Sequence, residues 1–315
     1  MSPRRTASRG TAAVRARATD GRRQHQEWLD LTEVSGPFLT MPVLLRAWPQ
    51  LDTLEKDERA RLRARHADWQ TDTTAGRDEW VAYVLTRLLG WNDALTLRVG
   101  DSEHHGLDRL TLRVAEHNTE VRPDFALVDP GTDLATEAAA KRVRLLGMTV
   151  PAGTAPTARA GGVGDWAAAP ADRLARLLRH HGVPLGLVTD GRWWCLVWAP
   201  LGGVTTTAVF DAIGWNEAAE RTVVRAFVSL LRRRRFFEYE EPETLVGLLK
   251  ESLAAGEDVT EALGVQVRQA VELLKAKEKH PDLPPPSPEA IRKRKEQLAA
   301  RGGSDFGEGA EGALF

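Results

Sequence analysis

Two carboxylates in this chain stand where metal-assisted phosphodiester chemistry would want them, Glu79 and Asp124. That chemistry needs hard oxygen ligands on neighbouring backbone elements to hold Mg²⁺, plus a lysine to orient water and neutralise charge. Glu79 opens an amphipathic segment, Glu79 to Trp91, punctuated by Gly90. Pro123-Asp124 opens an apolar run that stops at Asp129-Pro130-Gly131. The next apolar run, Val143 to Val150, holds neither acid nor lysine. Glu137 and Lys141, just upstream, are spaced like a helical pair. The expectation is a vestigial site. Asp124 should lie at a sheet edge with Glu79 on the adjacent helix, close enough to share a cation. Leu145, Leu146 and Met148 should occupy the places of acid and lysine. Each carboxylate also has an ordinary explanation, Asp124 as a turn residue before a strand and Glu79 as a first-turn acid beside the helix dipole.

Other arrangements carry less. His104-His105, Glu116, His117 and His180-His181 supply ligand types. Adjacent histidines diverge and no His-x-x-x-His pair occurs, so no metal site is expected. The single cysteine, Cys195, lies within a tryptophan-rich strand and reads as a small core hydrophobe; it also excludes an intramolecular disulfide. There is no phosphate-cradling glycine loop and no Gly-x-Ser-x-Gly elbow. No cofactor is expected, with Mg²⁺ entering only if the carboxylates are active.

The elements that must position these groups follow from periodicity. Strand alternation appears at Leu95 to Val99 and Leu110 to Val114, and apolar strand runs at Val121 to Val128 and Val143 to Val150. Asp172 to His181 is an amphipathic helix stopped at Gly182. Leu185 to Trp198 is a hairpin around Asp190-Gly191. Helix, strands, helix and hairpin describe an α/β fold with a mixed sheet flanked by helices, followed by an α-helical C-terminal region. The expected organisation is a disordered basic arm over 1–25, an α/β domain with an N-terminal strap over 26–212, and a helical connector over 213–280. A Pro-rich linker, a charged helix and a disordered tail fill 281–315. Net charge is −1, so the whole-molecule field attracts no polyanion and nucleic-acid affinity must come from local patches. No apolar run approaches a membrane span, so no membrane partner and a cytoplasmic location are expected.

Two surfaces suggest partners. Arg4, Arg5, Arg9, Arg15, Arg17, Arg22 and Arg23 crowd the start of the chain against one acid, Asp20, and Arg232, Arg233, Arg234 and Arg235 follow one another at a helix end. Both are candidates for phosphate contacts with double-stranded DNA. Val259, Leu263, Val267, Val271 and Leu274 share one helical face and are the candidate stripe for a protein partner.

A resemblance adds to these readings. It rests on Pro170-Ala171-Asp172-Arg173, on Gly182 to Trp194 (GVPLGLVTDGRWW), on Ala226 to Leu231 with Arg235-Phe236-Phe237, and on Glu257 to Leu274. Together these stretches resemble the N-terminal region of bacterial phage-defence adenine-N6 DNA methyltransferases, of the DISARM and type IIG restriction-modification kind. The likeness covers about residues 27–274. It implies a core similar to the restriction-nuclease fold, which supplies a helix Glu, a Pro-Asp at a strand start and Glu-x-Lys on the next strand. The relatives place a methyltransferase domain after this region. Here no Asn/Asp-Pro-Pro-Tyr/Phe turn follows, because Pro284 to Pro286 run into Ser287. The resemblance thus implies a DNA-binding or scaffolding module of a restriction-modification or phage-defence system with an inactive nuclease-like core. The alternatives are an active Mg²⁺-dependent DNA endonuclease, and an adaptor that docks a separate methyltransferase or helicase.

Overall fold

The computed structural model describes residues 19–98, 105–136, 141–159, 166–218, 221–256 and 271. Four stretches precede or follow the central sheet as helices: α1 (19–30), α2 (Met41–Ala47) and α3 (Lys56–Thr71) before it, and α9 (245–256) at the end. Within the centre come α4 (Arg77–Tyr83), continued by one π-helical turn to Leu88, then β2 (Leu95–Leu97), β5 (Phe125–Val128) and β6 (Val143–Thr149). The short helix α5 (His105–Asp108) follows β2 in the chain, and α6 (Pro170–His181) leads into β7 (Leu185–Thr189) and β8 (Trp193–Trp198). Edge strand β1 (Glu33–Ser35) pairs with β9 (Thr206–Asp211), which is bounded on its other side by β8, and α7 (Arg221–Leu231) and α8 (Arg234–Phe237) follow.

Seven strands form one sheet in the order β1-β9-β8-β7-β6-β5-β2. Strands β2, β5 and β6 pair antiparallel in succession, α6 crosses over, and β7 lies parallel to β6. The β7–β8 hairpin turns at Asp190-Gly191 as its chemistry requires. Gly191 has φ +96°, and the Asp190 carboxylate accepts from the Arg192 and Trp193 amides at 2.9 and 2.7 Å. The fold is α/β with a mixed sheet between helical layers. Successive strand residues alternate between two apolar layers. Phe125, Leu127, Leu145, Leu187, Trp194 and Phe210 face α4 and α7, whereas Ala126, Leu146, Val188, Cys195 and Val197 face α6. No helix among the described residues is long and apolar enough to cross a membrane.

Several expectations change. The run Val121 to Val128 is two strands, because Pro123 cannot donate to a ladder. Its first residue closes β4 (Thr119–Val121), which pairs with β3 (Leu112–Val114) in a separate two-stranded sheet. Order begins before residue 26: Gly21 lies against the Pro49 carbonyl, and buried His25 donates from Nε2 to the Trp48 carbonyl at 2.7 Å. The boundary at 212/213 also disappears. Residues up to 257 make one compact unit, because α7 buries Val223, Phe227 and Leu230 on the sheet and Phe227 meets Trp194 and Phe210 edge-on. Of the expected helical connector beyond residue 256, only residue 271 lies within the described residues, and 281–315 lie outside them.

Candidate functional site

Asp124 stands at the mouth of the β5–β6 pair. Its amide donates to the Gly147 carbonyl at 2.8 Å, and its carbonyl accepts from the Arg98 amide at 2.8 Å. Its Oδ2 accepts from the Thr149 amide at 2.7 Å. Burial raises the carboxyl above its ordinary range, while Thr149, Arg98 and Arg122 pull it down. Arg98 is held in place, since its Nη2 bonds Asp108 at 2.6 Å and its side chain is only 10% exposed. A divalent ion at Asp124 would meet this fixed cation.

Glu79 lies in the first turn of α4 and is exposed. That turn is tied to the same end of the sheet, because Arg77 Nη1 donates to the Val150 carbonyl at 3.0 Å, one residue beyond Thr149. The two carboxylates therefore belong to one end of the fold, Glu79 exposed and Asp124 half-buried. Pairing of Phe125 with Gly147 puts Gly147, Met148 and Thr149 beside Asp124. Of the three residues expected there, only Met148 is a neighbour. Leu145 and Leu146 pair with Leu127 and Ala126 and are fully buried, one in each apolar layer. A Cβ on Gly147 would lie 2.0 Å from the Phe125 ring, so that ring fills the space a β6 side chain would need. Lys141 is exposed before β6, and Glu137 lies outside the described residues.

The arginine run does not form a free basic patch. Arg232 bonds Glu58 at 2.9 Å, Arg233 bonds Asp93 at 2.8 and 2.7 Å and Glu238 at 2.7 Å, and Arg234 bonds Asp52. Arg235 is 3% exposed, donates to the Glu243 and Ala47 carbonyls at 3.1 and 2.9 Å, and sits over the Trp48 and Tyr239 rings. Guanidinium groups committed to carboxylates and carbonyls are weaker phosphate ligands, so this part of the expected DNA surface acts in the fold as a latch between segments. Of the N-terminal arginines, Arg22 is exposed and Arg23 pairs with Asp20 at 3.0 Å and Glu27 at 3.7 Å. Arg4, Arg5, Arg9, Arg15 and Arg17 lie outside the described residues. So do Val259, Leu263, Val267 and Leu274, while Val271 is 43% exposed on a helix.

His117, His181 and the cysteine serve the fold, while His104 lies outside the described residues. His117 stacks on Trp166 at 5.2 Å, and His181 bonds the Leu110 carbonyl at 2.9 Å. No group of three His, Cys, Asp or Glu that could hold a metal occurs among the described residues. Cys195 is fully buried and its thiol is pushed up to about 12, mainly by burial, which suits packing and not nucleophilic attack. Sequence reasoning missed Arg98, Thr149 and Arg77, whose only signals were their positions beside strand or helix ends. No family model, curated protein or solved structure matches the chain.

Proposed function

We propose that this chain is a DNA-binding or scaffolding module of a bacterial restriction-modification or phage-defence system, built on a restriction-nuclease-like core that does not cleave. The observation that carries the reading is the Asp124 environment. A helix bearing Glu79 precedes a strand opened by Pro-Asp, the order that the restriction-nuclease resemblance implies, yet the adjoining strand offers Gly147, Met148 and Thr149. Two carboxylates hold a hydrated Mg²⁺ weakly, and without the third group the water is neither oriented nor deprotonated. The resemblance to phage-defence methyltransferases supports the biological setting.

With Arg232 to Arg235 engaged internally, the N-terminal arginines carry the phosphate contacts in this reading. Titrating a labelled duplex at several salt concentrations tests it. Deleting residues 1–18 should weaken binding and flatten the plot of log K against log salt by about 0.9 for each phosphate the arm neutralises. Arg233→Gln should leave that slope unchanged. A slope indifferent to the deletion, or flattened by Arg233→Gln instead, defeats the assignment.

A further inference from the structure

Helices α3 and α7 converge on a cleft of about 360 Å³ that the DNA reading does not use. Arg59 and Arg63 line it from α3, Arg221 and Arg225 from α7, and the one acid among the described lining residues is Glu217. Each helix thus presents two arginines one turn apart, an arrangement that repels itself unless an anion sits between them. None of the four forms a salt bridge among the described residues. Arg59 donates to the Leu54 carbonyl at 3.1 Å, and Arg225 donates to the Asp52 carbonyl at 2.8 Å and to that of Leu51. These bonds fix two guanidinium groups at the wall and leave further N–H donors on each. Burial holds Arg225 below its ordinary pKa and Arg221 pushes the same way, against Asp52 and Asp20. The floor is apolar, with Leu54, Leu62, Val224 and the Trp215 ring.

We infer that this cleft binds a small organic polyphosphate of nucleotide type, its phosphates between the four arginines and its apolar part on the Leu54–Leu62–Val224 floor. Four guanidinium groups against one carboxylate among the described lining residues match a di- or triphosphate better than a monoanion. A cleft of this volume, partly apolar with convergent polar groups, suits a compact ligand. The inference stands apart from DNA binding.

Isothermal titration of the full chain tests it with pyrophosphate, ATP, adenosine and a duplex oligonucleotide. Pyrophosphate and ATP should bind one per chain and compete, while adenosine should give no binding. Among the described residues the Arg63 and Arg221 side chains bond no group outside their own helices, so Arg63→Gln/Arg221→Gln should keep the melting temperature. It should lower ATP affinity at least about tenfold, the scale of one lost charged hydrogen bond. Arg63→Lys/Arg221→Lys, which keeps the charge, should retain most of the affinity. No heat with either polyphosphate, equal affinity in the Gln variant, or adenosine binding as well as ATP would overturn the inference. Displacement of ATP by the duplex would do so too, since it would assign the cleft to the DNA backbone. Loss of duplex binding with ATP binding intact would leave this inference standing and remove the DNA reading alone.

Discussion

Replacing Arg235 by alanine should destabilise the protein by about 4 kcal/mol or more, with little change in DNA affinity. The side chain is 3% exposed and bonds two carbonyls, that of Ala47, 188 residues away, and that of nearby Glu243. Truncation leaves both acceptors without their donor, at about 1–3 kcal/mol each. It also removes a desolvated cation from between the Trp48 and Tyr239 rings, worth about 2 kcal/mol. Arg235→Lys should recover only part of the loss, because a point ammonium cannot reach two carbonyls and stack on two rings. Urea unfolding gives the stability and duplex titration the affinity. A loss below about 1 kcal/mol with weakened DNA binding would restore the basic-patch reading and remove the latch.

Gly147→Ala should cost at least about 3 kcal/mol, at the upper end of overpacking changes. The added methyl would lie 2.0 Å from Cε2 and Cζ of Phe125, a ring that is fully buried. Phe125→Leu should make room, so the double variant should be less destabilised than the two single changes added together, by about 1 kcal/mol or more. Strict additivity in a double-mutant cycle would show that Phe125 is not what closes the space. The same contact leaves no room for an acid at position 147 of β6, one of the three positions beside Asp124. A carboxylate on residue 147 would meet the ring and lose its water, and a buried unpaired charge is more costly than a methyl.

The elements that position the site were legible where a local rule decides them. The β7–β8 hairpin follows from Asp190-Gly191 between apolar runs, and α6 from its apolar stripe stopped at Gly182. Edge strand β1 was not legible, since Glu33, Val34 and Ser35 are all exposed and show no alternation of burial. Strand β9 runs Thr-Thr-Ala-Val-Phe-Asp after a glycine turn and was hidden by its polar start. The arginine run misled for a different reason. Glu58, Asp93 and Asp52 lie 174, 140 and 182 residues from the arginines they bind, so no sequence window distinguishes a solvated cluster from a latched one. The Asp124–Thr149 bond spans 25 residues and was hidden in the same way.

The most direct measurement is a gel of supercoiled plasmid incubated with purified protein and Mg²⁺, run before and after the protein is stripped away. DNA binding without cleavage predicts a retarded band that returns to the supercoiled position after stripping, for the wild type and for Asp124→Ala and Glu79→Ala alike. Nicked or linear product made by the wild type and lost in both variants would contradict the inactive core and make the protein an endonuclease. Plasmid that is never retarded would contradict the DNA-binding assignment itself.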